Sequence, residues 1–166
     1  MNAEQNQLVT DLARDLVAQM APQELPLFRA NSANYFKNPD KALQPQTGKD
    51  DMLGFGAGEV VTLLTPYLLA VLTEVVTFIV EEVKKSAKTQ GTNVINDMVK
   101  QMFKKFQPQP TTQEQKPAPS APPLTHDQLA QIRQLAFEKS RKLKLSGRQS
   151  AMLADSIVGS LVLAPA

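Results

Sequence analysis

Residues 60–80, VVTLLTPYLLAVLTEVVTFIV, contain thirteen Val, Leu, Ile or Phe side chains and a single charge, Glu74. A run this long and this apolar must leave water whatever the remaining chain does. It is long enough to cross the hydrocarbon layer of a bilayer, and equally suited to the centre of a helical bundle. Insertion energetics do not choose between these. Each aliphatic side chain contributes about −0.3 to −0.6 kcal/mol at best, and Glu74 opposes them by a few kcal/mol together with Pro66, Tyr67 and four Thr, so the balance lies near zero.

Polar positions in the run are ordered. At 100° per residue, Thr62, Pro66, Thr73, Thr77 and Glu81 share one side of a helix, with Glu59, Ala70 and Glu74 along its edge. In a bilayer Thr62, Thr73, Glu74 and Thr77 would face neighbouring helices or an aqueous lumen, and Leu63, Leu64, Leu68, Leu72, Val76 and Phe78 would meet lipid. Lys84, Lys85 and Lys88 follow closely and would meet anionic headgroups, while Asp50, Asp51 and Glu59 precede the run; this bias would leave the C-terminal part cytoplasmic. In a bundle, the same Thr stripe would be the least buried side of a core helix.

The other segments are also helical in pattern. Leu8, Val9, Leu12, Leu16, Val17 and Met20 recur at three- and four-residue steps, opposite Glu4, Asp11, Arg14 and Asp15, until Pro22 ends the helix. Pro26 can open a short helix from Phe28 to Phe36. A further amphipathic helix is expected from Asn93 to Phe106, with Lys100, Lys104 and Lys105 toward its polar side, fit either to pack in a bundle or to lie on a membrane surface.

Residues 107–123 hold six of the twelve prolines and no large apolar side chain, which makes them an extended linker. Beyond it, Thr125 with Gln128 and Ser146 with Gln149 form two capping boxes, and Leu124 with Leu129 a hydrophobic staple. These place a helical hairpin at 124–166. The expected organisation is therefore all-α: a helical region over 1–106 containing the apolar helix, the linker, and a separable hairpin.

Little here suggests catalysis. Without Cys, thiolate chemistry and disulfides are excluded. His126 sits at a helix start beside Asp127, where it is a solvated first-turn residue. The glycines of LGFGAGE, Gly54, Gly56 and Gly58, lack a preceding strand and the GxGxxG spacing, and read as a flexible entry to the apolar helix. Glu81 and Glu82 point about 100° apart and do not converge. No enzyme activity, metal site or cofactor is expected. The first twenty residues are acidic and lack an apolar core, so a cytoplasmic start is expected.

A net charge of +2 does not mark the whole chain as a polyanion binder. The stretch SRKLKLSGRQSAML does resemble the turn of a helix-turn-helix unit, in which Arg141, Lys142, Lys144 and Arg148 would contact phosphates and Gln149 a base edge. The leading functional expectation is a non-enzymatic, membrane-associated protein whose apolar helix inserts or docks while the hairpin recruits another protein or a second copy. The alternatives are a soluble all-α adaptor and a DNA-binding regulator.

Overall fold

The computed structural model describes residues 2–44, 63–86, 91–106 and 124–161. Among them the chain is all-α: α1 (Ala3–Met20), a 3-10 turn (Pro22–Leu27), α2 (Phe28–Lys37), α3 (Pro39–Ala42), α4 (Leu64–Ser86), α5 (Thr92–Gln101), a second 3-10 turn (Lys104–Phe106), α6 (His126–Lys142) and α7 (Gly147–Gly159). The glycine-rich entry, Thr62, Lys88 and the linker 107–123 lie outside the described residues.

α4 is the axis of the molecule. Helices α1, α2, α5 and α6 pack around it, and Leu68, Leu69, Val71, Leu72, Val75, Val76 and Ile79 are completely buried. The second half of the Thr stripe stays open, with Thr73 and Glu74 half-buried and Thr77, Glu81 and Lys84 exposed, whereas Pro66 and Ala70 earlier on it are buried. The periodicity that defined the stripe thus sets how α4 lies in the bundle.

α4 starts on an unusual cap. The first N–H groups of a helix have no partner within it, and they cost free energy if buried unpaired. Here the Glu24 carboxylate, itself buried, reaches from the first 3-10 turn to accept the N–H of Leu64 at 2.6 Å and the N–H of Thr65 at 2.9 Å, while the Thr65 hydroxyl donates to it at 2.7 Å. The next residue, Pro66, has no N–H to satisfy. A buried carboxylate at a helix N-terminus is also favoured by the helix dipole. Residues 40 and 41 positions apart are thereby locked together.

α1 begins with a capping box of its own between Asn2 and Gln5. Its first turn is tied to α5 through the buried Asn96, whose amide donates to Glu4 and accepts from Gln5. α5 ends earlier than the amphipathic pattern implies, at Gln101 rather than Phe106. Phe103 leaves the helix to become fully buried and pairs through its backbone with Leu161. Behind it, the Lys104 N–H donates to the Ser160 carbonyl at 2.9 Å and the Lys104 ammonium to the Gly159 carbonyl at 2.8 Å, so a cation closes the C-terminus of α7.

Both capping boxes expected beyond the linker are present, and α6 and α7 form an antiparallel hairpin. Arg133 and Asp155, 22 residues apart and each more than two helical turns from the loop, still meet at 2.6 Å. The helices can remain this close because Ala136 and Ser140 on α6, and Ser150 and Ala154 on α7, are small and fully buried.

The hairpin is also not separate in packing. Leu124, Leu129, Ile132, Ala136, Leu153, Ile157 and Leu161 belong to the same continuous core as α1 and α4. A division at the linker is visible in the sequence, but the packed interior crosses it.

The loop joining α6 to α7 carries the one positive φ among the described non-glycine residues, 68° at Lys144. The N–H of Leu145 bonds back to Ser140 and that of Lys144 to Arg141, the pattern of a left-handed helix C-cap that usually holds Gly. Lys144→Gly should relieve this conformation and raise stability by about 0.5–1 kcal/mol. Thermal unfolding checks this; an unchanged or lower Tm would show that the turn carries no strain.

Candidate functional site

The residues picked out as lipid contacts lie mainly inside the protein. Leu68, Leu72 and Val76 are fully buried, and Leu63, Leu64 and Phe78 are half-buried. Lys84 is exposed, and Lys85 bonds Glu82 at 2.7 Å. That bond, followed by one from the Gln128 amide, holds the Glu82 carboxyl below its usual range. Lys104 caps α7, and Lys105 pairs with Asp15 at 2.8 Å, so neither belongs to a free headgroup-binding face.

The open stripe of α4 carries polar side chains that face α2 and α6. Glu74 pairs with Lys139 of α6 at 2.7 Å, both about one-third exposed. Beside them lie the buried Tyr35 and also Thr73, whose hydroxyl donates to the Leu69 carbonyl at 2.7 Å. Thr77 repeats that pattern one turn on, to the Thr73 carbonyl. The stripe side chains thus satisfy one another or the helix backbone. Glu74 was marked by the sequence as the lone charge of the apolar run; its partner Lys139 was not, because nothing local links positions so far apart.

Burial raises the Tyr35 pKa, which the neighbouring Thr73 and the Lys139 charge lower only in part. The folded state therefore favours the neutral phenol. Stability from this site is complete below the ordinary tyrosine range near 10 and is lost as pH rises through the higher folded value. Tyr35→Phe should flatten the decline of stability with pH above about 10 relative to the parent. Denaturant midpoints measured across that window check it, and parallel declines would show that Tyr35 does not contribute.

The second concentration of chemistry is the α6–α7 loop. Arg141, Lys142, Lys144 and Arg148 are all exposed, and no acidic residue occurs from Lys139 through Ala154. Arg141 is aligned by a bond from Nη1 to the Leu145 carbonyl at 2.7 Å. Gln149 is also exposed, but its side-chain oxygen accepts the Ser146 N–H at 3.1 Å within the capping box. The four cations thus all stand exposed where the end of α6 and the start of α7 flank the loop.

Three further features had no signal in the sequence pattern: the Glu24 cap, the buried Thr65, and the burial of Ser140 and Ser150 in the hairpin. No protein-family model matches the chain, and neither a curated protein nor a solved structure matches it.

Proposed function

We propose that this protein is a non-enzymatic helical adaptor, a closed bundle with the apolar helix as its core and an outer surface that engages another protein. The observation that carries this reading is the complete burial of Leu68, Leu69, Val71, Leu72, Val75, Val76 and Ile79 by surrounding helices. Moving α4 into a bilayer would strip these contacts and leave the apolar faces of α1, α5 and α6 against water. Each large side chain so exposed costs about 1.5–3 kcal/mol. The opposing reading, insertion of α4, rests on its length and composition, since it is the single described helix apolar enough to span a membrane.

Glu74→Leu separates these readings. The substitution removes the main penalty to insertion, roughly 2–4 kcal/mol. It also removes a half-exposed ion pair worth under about 1 kcal/mol. For the adaptor, the variant stays out of liposomes and self-associates more than the parent, because an apolar patch replaces the Glu74–Lys139 pair. Flotation with liposomes and sedimentation at equal concentrations read out both. A gain in flotation without aggregation would replace the adaptor with a membrane protein.

A further inference from the structure

We propose that the α6–α7 loop is a docking site for a short acidic segment of a partner protein. This deepens the adaptor reading and rests on it. The site is built by Arg141, Lys142, Lys144 and Arg148, four exposed cations within eight consecutive positions. The left-handed Lys144 turns the chain sharply enough to present the end of α6 and the start of α7 together, and Arg141 is held in place by the Leu145 carbonyl.

Three observations define the partner. First, the positive surface is short: exposed Glu138 precedes it on α6, and Asp155, beyond it on α7, is already paired with Arg133. A long polyanion continuing past the loop along α6 would meet the Glu138 carboxylate. Second, four cations are fewer than the roughly 6–10 phosphate contacts of a duplex binder with a steep salt dependence, and Gln149, the side chain placed to read a base edge, has its oxygen engaged by the Ser146 N–H. The hairpin's one aromatic side chain, Phe137, is half-buried and unsuited to stacking on bases. Third, Met152 follows Arg148 by one turn of α7 and is 52% exposed, one of only two large apolar side chains so exposed among the described residues. A flexible thioether beside guanidinium and ammonium groups fits a peptide that mixes carboxylates with an apolar residue.

The intact protein can be titrated against a fluorescein-labelled Asp/Glu-rich peptide containing one Leu, with a labelled random-sequence DNA duplex and phosphatidylserine vesicles in parallel. The expected result is saturable peptide binding that weakens with added salt, and that falls about tenfold or more in the double variant Lys142→Glu, Arg148→Glu. Met152→Ser should weaken the peptide without altering the salt dependence. A charge-matched control, Lys84→Glu with Lys85→Glu, lies at the other end of α6, beside Gln128, and should bind as the parent does.

Peptide binding that survives the loop reversal overturns the site. Tighter binding of duplex or vesicles than of peptide, lost in the same variant, overturns the partner class, and binding to none of the three overturns the proposal outright. Unchanged helical circular dichroism in each variant excludes unfolding as the cause. The adaptor reading itself is decided separately by flotation of Glu74→Leu, so the two can fail independently.

Discussion

Replacing Glu24 with Ala should destabilise the protein by about 2–4 kcal/mol, which for a chain of this size lowers Tm by roughly 5–15 °C. The carboxylate accepts two backbone N–H groups and one hydroxyl at 2.6–2.9 Å, all from the first residues of α4. Its loss orphans those donors at a buried helix end and deletes a favourable charge at the positive end of the dipole. Glu24→Gln keeps one acceptor oxygen but turns an amide N–H2 toward the remaining donors, so an intermediate loss is expected. Chemical denaturation reads both. A midpoint for Glu24→Ala matching the parent would mean that α4 does not depend on this cap.

Ile132→Ala should cost about 2–5 kcal/mol, the range for leaving a cavity at a buried aliphatic position. Ile132 is fully buried on α6, within the core that includes α4. The effect should also spread. Both tyrosines, Tyr35 and Tyr67, lie in the N-terminal region, whereas the substitution lies beyond the linker. With one shared core, tyrosine fluorescence and helical circular dichroism shift together to the same lower midpoint. A tyrosine transition left in place while part of the helical signal melts early would show that the hairpin is an independent unit.

What the sequence made legible follows its local physics. Helical periodicity marked which side of α4 would be least covered, and the Thr73, Glu74 and Thr77 side is indeed the open one. The capping boxes at Thr125 and Ser146 were readable because both partners lie within three residues. Periodicity assigns a face but not the element that covers it, which is why the apolar face of α4 read equally well as lipid-facing. Glu24 with Leu64 and Thr65, Glu74 with Lys139, and Phe103 with Leu161 all join distant positions whose meeting depends on the assembled bundle.

The same limit explains the ends of elements. α5 stops at Gln101 because burying Phe103 against the end of α7 outweighs continuing an amphipathic turn. Ser140 and Ser150 read as polar by composition, yet they are buried because a hairpin this close admits only small side chains. The Ser140 hydroxyl satisfies itself on the Ala136 carbonyl at 2.7 Å, which lets a nominally polar residue serve as packing surface.

The central claim is that α4 is the common core of one bundle that includes α6 and α7, and residue-resolved amide hydrogen exchange of the full chain in aqueous buffer tests it most directly. The amides from Leu68 to Ile79 should exchange slowest, and those around Ile132, Ala136 and Leu153 should open with the same free energy and respond equally to denaturant. Rapid exchange of α4 in buffer, with protection appearing only when lipid vesicles are added, would contradict it.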